Sequence, residues 1–261
     1  ASITKMNATD GKIVWKCPLK SSVRNSIAAD GGMVFAQDVQ GVVYAVEEAT
    51  GKIAWQKDLK IGVTPALNDG LVAKDGILYA GTGRQLTAFK ARTGEVLWQN
   101  KEWGRGEGCV ATLTLSDNDV LVGSSHWGAL YGNDARTGKM LWQDWDEDLR
   151  FRASTPAAWG DVMYVVSGRA LLMLENKTGR ILMRKKFDYC VEVASTPLVT
   201  KDAIIFGTAT NGIVALNKET LEEKWHFKTR DALILSSPYQ GNHPATVETS
   251  PVLCGNLVYM G

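Results

Sequence analysis

Short apolar runs separated by polar turns fill the chain from one end to the other. In one segment, residues 203–207 are nearly all apolar, residues 212–216 follow the turn pair Asn211-Gly212, and residues 222–227 form a more polar run. Continuous apolar runs of this length predict strands covered on both faces, and alternating runs predict strands with one face in solvent. An Asn-Gly pair between two such runs favours a tight hairpin. The pattern therefore predicts an all-β protein built from antiparallel hairpins.

A short motif, in which a tryptophan stands four residues after a turn glycine, divides these strands into repeats. The six copies, of which the last two are weaker, end at Trp15, Trp55, Trp98, Trp142, Met183 and Trp225. Successive ends are 40, 43, 44, 41 and 42 residues apart. A period of roughly 40 to 45 residues with four strands in each repeat is typical of a β-propeller. We predict one domain, residues 1–261, of six four-stranded antiparallel blades that end near these positions.

The motif itself has a structural interpretation. A glycine supplies positive φ in the turn before the outer strand, and these glycines are Gly11, Gly51, Gly94, Gly138 and Gly179. The tryptophan that follows is expected to pack across onto the next blade, where its N–H finds a carbonyl partner. We therefore predict that both residues of the motif serve the fold rather than a ligand.

The two ends of the chain resemble complementary halves of one blade. Residues 255–261 are predicted as a second strand, and residues 2–8 as a third strand that leads through the Asp10-Gly11 turn to an outer strand. Joined end to end, the two segments resemble residues 78–91 of an intact repeat. We expect them to share the sixth blade and close the ring, which removes free sheet edges. The alternative is a piece of a larger propeller of seven or eight blades.

Composition and charge exclude several classes of function. The chain has 29 basic and 28 acidic residues, so it lacks the basic excess that nucleic-acid binding requires. No apolar run approaches the roughly 18 to 20 residues of a membrane-spanning helix. We predict no nucleic-acid partner, no membrane span and a monomer. The first residue is Ala1 rather than methionine, which fits a processed or excised piece of a longer protein.

Cysteines and histidines form no pattern that carries chemistry. The cysteines are Cys17, Cys109, Cys190 and Cys254, and the histidines are His126, His226 and His243. No Cys-x-x-Cys, His-x-His or His-Glu-x-x-His spacing occurs among them, which argues against a zinc or redox site. We interpret the cysteines as small buried apolar side chains. The sequence predicts no catalytic, metal-binding or cofactor-binding residue.

Charged and polar residues stand just before the predicted inner strands, where a propeller opens its central channel. These candidate rim residues are Arg24, Asn25, Glu107, Arg152, Glu192 and Glu248. Arg24 and Glu248 fall in the same column of neighbouring blades and are expected to pair. Loops from all blades converge at such a rim, which favours ligand binding there. The residues would then hold a zwitterion or a peptide, or else they solvate the rim and pair with one another.

Aromatic residues outside the repeating column form a second candidate surface. They are Trp103, Trp127, Trp145 and Tyr239, together with Trp159. Aromatic residues are enriched at binding hot spots, so those in connecting segments are candidates for contacting a partner protein. The alternative is that each pins its own loop.

The repeated turn glycine and tryptophan resemble the PQQ-like propeller repeat, as found in BamB-like proteins and quinoprotein dehydrogenases. The resemblance implies the propeller fold over essentially the whole chain. Quinoprotein dehydrogenases hold their cofactor beneath a disulfide of adjacent cysteines, with a calcium ion and a catalytic aspartate. This chain has no adjacent cysteines, so we predict no bound quinone.

The resemblance favours a non-catalytic, BamB-like interaction scaffold that binds a polypeptide or small ligand at the channel mouth and loops. It also implies a periplasmic or cell-surface location in a bacterium, with a cytoplasmic location as the alternative. A second possibility is a ligand-sensing or substrate-docking domain of a larger enzyme, fused to a kinase or a metallophosphoesterase. A third is a degenerate quinoprotein or hydrolase with a site in the channel.

Overall fold

The computed structural model describes residues 1–24, 26–60, 70–103, 109, 111–125, 129–145, 154–191, 195–230 and 245–261. The secondary structure of these residues is strand and turn, without a helix in any described range. The chain divides into two compact units, residues 1–113 with 136–139, and residues 114–135 with 140–261. The prediction of one domain stays a prediction.

The described residues of the first unit form one two-stranded hairpin and two four-stranded antiparallel sheets. The first hairpin pairs β1 with β2, sheet I has the order β3-β4-β5-β6, and sheet II has the order β7-β8-β9-β10. The strands are β1 (Ser2–Met6), β2 (Ile13–Pro18), β3 (Ala28–Asp30), β4 (Met33–Gln37), β5 (Val42–Glu47), β6 (Ile53–Asp58), β7 (Gly70–Lys74), β8 (Ile77–Thr82), β9 (Gln85–Lys90) and β10 (Val96–Asn100).

The described residues of the second unit form three four-stranded antiparallel sheets and a final two-stranded hairpin. Sheet III is β11 to β14, sheet IV is β15 to β18, sheet V is β19 to β22, each in chain order, and the last hairpin pairs β23 with β24. The strands are β11 (Thr114–Leu115), β12 (Val120–Ser125), β13 (Ala129–Asp134), β14 (Met140–Trp145), β15 (Ala157–Trp159), β16 (Val162–Ser167), β17 (Ala170–Glu175), β18 (Ile181–Lys186), β19 (Leu198–Val199), β20 (Ala203–Gly207), β21 (Ile213–Asn217), β22 (Glu223–Phe227), β23 (Val252–Cys254) and β24 (Leu257–Tyr259).

The two middle strands of each four-stranded sheet carry the core. Every residue of β4 and β20 is buried, whereas β6 and β22 are largely exposed. Sheets I and II share a core around Phe35 and Phe89, and sheets IV and V share one around Leu171 and Phe206. Continuous apolar runs thus became strands covered on both faces, as predicted.

Each outer hairpin has a register shift near the tryptophan position. The shifts fall at Lys5/Met6, Ala45/Val46, Val96/Trp98, Gly132/Asn133, Met173/Leu174 and Ala215/Leu216. A bulge of this kind bends the strand and sharpens its twist. It therefore sets the direction in which the outer strand and its tryptophan leave the turn.

The prediction of an all-β fold with four-stranded antiparallel sheets is confirmed. The cysteine prediction was only partly right, because Cys17 and Cys109 are buried, Cys190 is half-buried and Cys254 is exposed. Cys254 lies on the last hairpin, whose strands are mostly exposed among the described residues.

Candidate functional site

The turn glycines of the first unit hold tryptophans from the preceding repeat. A Cβ placed on Gly51 would lie 2.7 Å from the Trp15 ring, and one on Gly94 would lie 2.7 Å from the Trp55 ring. The Trp15 Nε1–H donates to the Glu48 carbonyl oxygen at 2.9 Å. The Trp55 Nε1–H donates to the Ala91 carbonyl oxygen of the next repeat, also at 2.9 Å. Any side chain larger than that of glycine would push the indole away.

The same joint recurs at the next two tryptophans. In the second unit, the Trp142 Nε1–H donates to the Asn176 carbonyl oxygen at 2.7 Å, and a Cβ on Gly179 would lie 2.6 Å from the ring. The Trp98 ring covers Gly138 in the first unit. These side chains are committed to packing, which explains the repeated motif without a ligand.

Hydroxyl side chains at the starts of the inner strands link successive sheets. Ser154 Oγ donates to the Ser195 carbonyl oxygen at 3.1 Å, and the Thr196 N–H donates to Ser250 Oγ at 3.0 Å. A buried serine hydroxyl must find a partner, and here the partner is the backbone of the next repeat. The sequence marked these positions only as landmarks for aligning repeats.

Only two of the six predicted rim residues lie in the described part of the chain. Arg24 is exposed in the first unit, and Glu248 is half-buried in the second. Asn25, Glu107, Arg152 and Glu192 lie outside the described residues. The predicted pairing of Arg24 with Glu248 stays a prediction.

The structure describes two of the four predicted partner-surface aromatics, Trp103 and Trp145, and that surface stays a prediction. Trp103 is 1% exposed and belongs to the core, so its assignment to a partner surface was wrong. A large aromatic ring is stabilised more when it is buried in the core than when it is exposed to solvent on a connecting segment. Trp145 is 51% exposed. Trp127 and Tyr239 lie outside the described residues.

Trp159 and Lys218 form a cation–π contact that the sequence did not predict. Trp159 is exposed, and the Lys218 ammonium lies 4.6 Å from the centre of its ring. Such a cation–π contact holds the indole in place while leaving part of it in solvent. Trp159 is therefore an oriented surface aromatic of sheet IV.

Two adjoining clefts lie among the turns of the first unit and were also missed from the sequence. One has a volume of about 470 Å³ and the other about 480 Å³, and Met33 and Arg92 line both. Arg92 donates to the Gly31 carbonyl oxygen at 3.4 Å. Lys5 pairs with Glu48 at 3.1 Å beside the second cleft. The clefts thus combine apolar side chains with charged side chains of both signs.

Among the described groups, the shifted pKa values lie farther from neutral pH than the ordinary values of the same side chains. Burial is the main cause that raises the pKa of Tyr44 to about 12, followed by its hydrogen bond to Asp38. Burial also raises the pKa of the Cys17 thiol. A hydrogen bond from Thr178 is the main cause that lowers the pKa of Glu175. General acid–base catalysis favours groups tuned toward the working pH, and these groups move the other way.

The described ranges contain no group of three or more His, Cys, Asp or Glu residues placed to hold a metal ion. No helix in those ranges is long and apolar enough to cross a membrane.

Comparison with known proteins gives one family model that matches the whole chain and relatives that match part of it. The family model described as outer membrane protein assembly factor BamB matches residues 1–128 and 127–261. Tetrathionate hydrolase of Acidithiobacillus ferrooxidans is 25% identical over 239 residues, which are 83% of this chain and 47% of the hydrolase. BamB of Yersinia pestis is 26% identical over 220 residues, which are 76% of this chain and 55% of that protein.

The crystal structure of BamB from Moraxella catarrhalis superposes with a TM-score of 0.67 at 16% identity. The superposition covers 96% of this chain and 85% of that one. At this identity the likeness concerns the fold. The chain spans about half the length of the two relatives named above, at 47% and 55%.

Proposed function

Because the chain belongs to the PQQ-like β-propeller repeat superfamily, represented by the BamB family model, we propose that it is a non-catalytic scaffold that binds a polypeptide. The observation that carries this proposal is the match of that family model to both halves of the chain. Fold alone does not determine function, so the surface must supply the rest.

Exposed groups on both units support polypeptide binding. Trp145 offers a large apolar contact, and Arg24 offers a charged one that is exposed at the start of an inner strand. Aromatic and arginine side chains dominate binding energy at protein interfaces. We propose that the partner binds at the channel mouth and the loops around it, through these residues and Glu248.

Site-specific photocrosslinking in the host tests this proposal. A photoreactive amino acid at position 24 or 145 should yield an adduct with one defined polypeptide, identified by mass spectrometry. The matched control is Val96, an exposed residue on outer strand β10, which should yield none. Arg24→Glu and Trp145→Ala should each weaken binding of the purified partner by about tenfold or more. Adducts of equal yield at all three positions, or none at all, would contradict the scaffold.

Similarity to tetrathionate hydrolase supports a second candidate function, a hydrolase. The similarity covers 83% of this chain. Loss of tetrathionate from a solution that contains the purified protein would favour this candidate. An unchanged concentration beside an active control enzyme would favour the scaffold.

We propose that the chain holds no quinone. The adjacent cysteines that the resemblance requires are absent from the sequence, and Cys17 and Cys109 are separately buried free thiols. The residues present therefore do not fit the group. An extract of the purified protein without quinone absorbance would agree with this proposal.

We further propose a ring of six blades, closed by one shared blade. Support comes from the hairpins, because β23 and β24 correspond to the first two strands of a sheet and β1 and β2 to the last two. Edge pairing of β24 with β1 would complete that sheet. By likeness to BamB we propose a monomer in the bacterial periplasm or at the cell surface. A role as the accessory domain of a larger enzyme chain remains the alternative.

A further inference from the structure

The first strands of sheets I and IV end in the same backbone geometry but with different side chains. Asp30 is the last residue of β3 and Trp159 is the last residue of β15, and each pairs with the first residue of the following strand. The next residue in each turn is a glycine of positive φ, with 54° at Gly31 and 57° at Gly160. Asp30 and Trp159 therefore hold equivalent positions in their sheets.

The neighbouring sheets differ at a second pair of equivalent positions. The Ala91 N–H of sheet II donates to the Gly76 carbonyl oxygen at 2.9 Å, and the Lys218 N–H of sheet V donates to the Asp202 carbonyl oxygen at 3.3 Å. In the second unit, the Lys218 ammonium lies 4.6 Å from the centre of the Trp159 ring. Sheets IV and V thus bring an indole and a cation together across their boundary.

The cleft of about 470 Å³ in the first unit lies at the corresponding boundary, between sheets I and II. Its lining includes both Asp30 and Ala91, which stand where sheets IV and V have the indole and the cation. The side chain of Met33, which is 4% exposed, adds an apolar surface. A Cβ placed on Gly31 or Gly76 meets nothing within 4 Å, so the space above these two lining residues is open among the described residues. The cleft has the volume of a small-ligand site.

Two groups in this cleft match the two halves of an indole. Arg92 comes from the sheet II turn and donates to the Gly31 carbonyl oxygen of sheet I at 3.4 Å, which holds its guanidinium across the boundary. A guanidinium stacks on an aromatic ring, as the Lys218 ammonium does on Trp159. Asp30 accepts the Gly76 N–H at 2.7 Å. A carboxylate accepts several hydrogen bonds, so Asp30 has capacity for an indole N–H as well.

The charges of the lining favour a neutral ligand over an ionic one. Asp30 and Asp75 are acidic, whereas Lys90 and Arg92 are basic. A free anion or a free cation would therefore meet like charge in the same cleft, which weakens its binding. An indole carries no net charge and gains both a ring contact and a hydrogen bond.

We propose that the cleft between sheets I and II binds a tryptophan side chain of a partner polypeptide. The indole lies against the Arg92 guanidinium and donates its N–H to the Asp30 carboxylate. The partner thereby supplies the ring that sheet IV supplies from its own chain. This inference rests on the proposed scaffold function and adds the chemistry of one side chain that the partner presents.

Titration of the full chain with N-acetyl-L-tryptophanamide, followed by nuclear magnetic resonance, tests the cleft. The amide signals of Gly31 and Gly76 should shift saturably, and the Met33 methyl signal should move upfield because an aromatic ring lies near it. N-acetyl-L-leucinamide is the matched control and should give smaller shifts without saturation. Equal shifts with both amides would overturn the proposal, because the cleft would then be selective only for apolar groups.

Three variants test the two groups that contact the indole. Asp30→Trp gives sheet I the ring that sheet IV has at this position and should abolish saturable binding of the tryptophanamide. Asp58→Trp adds the same side chain to outer strand β6 of sheet I, outside the cleft lining, and should leave binding unchanged. Arg92→Gln changes an exposed side chain and should weaken binding about two- to fivefold. Unchanged affinity in Arg92→Gln would overturn the contact with the guanidinium, whether or not Asp30→Trp folds.

Photocrosslinking in the host tests whether the ring belongs to a polypeptide. A photoreactive amino acid at position 93, an exposed residue of the cleft lining, should become attached to a peptide that contains tryptophan. Attachment to a peptide without tryptophan, or to a second copy of this chain, would overturn the proposal. Adducts from positions 24 and 145 without one from 93 would overturn this inference and leave the scaffold intact. An adduct from 93 alone would support the cleft and contradict binding at the channel mouth.

Discussion

Two joints in the second unit meet the same packing need with different residues. At the first, Trp142 is nearly buried, lies on Gly179 and donates to the Asn176 carbonyl oxygen. At the second, Met183 is 39% exposed and Leu221 is 3% exposed among the core residues of sheets IV and V. At the second joint, the turn residue rather than the outer-strand residue thus supplies the buried apolar side chain. The comparison indicates that the tryptophan and the glycine are replaced together at this joint.

The largest expected difference between the joints comes from shortening their outer-strand residues. Trp142→Ala should lower the free energy of unfolding by about 3 to 5 kcal/mol, because it empties a packed site and removes a hydrogen bond. Met183→Ala should cost less than about 1.5 kcal/mol, because much of that side chain is already in solvent. Urea unfolding of both variants measures the difference. Equal losses would contradict the comparison.

The turn glycine should show the next largest effect. Gly179→Ala combines the strain of positive φ with a collision against the Trp142 ring. Gly160 also has positive φ, at 57°, but has open space above it. Gly179→Ala should therefore exceed Gly160→Ala by about 1 to 3 kcal/mol in urea unfolding. A difference near zero would mean that the indole tolerates the methyl group.

Rebuilding the fifth joint tests whether the pair is a unit. Met183→Trp alone should gain nothing, since Leu221 fills the position where an indole would rest. Met183→Trp with Leu221→Gly should be more stable than the sum of the two single changes predicts, by about 1 kcal/mol or more. A complete double-mutant cycle by urea unfolding gives this coupling. Additive single effects would show that the two positions act independently.

The smallest effect should come from a surface ion pair on sheet V. The Lys224 ammonium lies 3.0 Å from the Asp202 carboxylate. Its hydrogen bond to that carboxylate, followed by the attraction between the two charges, lowers the pKa of Asp202 below the usual 3.8. The pair therefore stabilises the fold above about pH 3.8, and its contribution disappears as the pH falls through the lower, folded-state pKa. Asp202→Asn should lower the thermal midpoint slightly at pH 7 and not at pH 2. Lys224→Gln should lower the thermal midpoint in the same way. A decrease of the midpoint that persists at pH 2 would exclude the ion pair as its cause.

The repeating part of the fold could be predicted from the sequence because its causes are local. Gly51 and Trp55 lie four residues apart within one repeat, and Gly94 and Trp98 have the same spacing in the next. Turn chemistry and strand periodicity then determine the hairpins without knowledge of distant contacts.

The surface could not be predicted with the same success. Trp103 stood in a connecting segment, but nothing in its local sequence shows whether that segment is itself covered. The clefts beside Arg92 arise because turns from separate repeats converge, and no single repeat contains them. The bond from Ser154 to the Ser195 backbone likewise depends on two repeats lying side by side.

The tryptophan joints also constrain how such a chain can change in length. In most repeats, the turn glycine contacts the tryptophan of the preceding repeat. The tryptophan of the same repeat contacts the turn glycine of the following one. A whole repeat can therefore be duplicated or deleted in one genetic event, and the two new neighbours still match. The pair Met183 and Leu221 breaks this interchangeability, because a copy of either repeat alone would set methionine against glycine or tryptophan against leucine. A change in repeat number that keeps these joints matched must therefore copy or delete both repeats together.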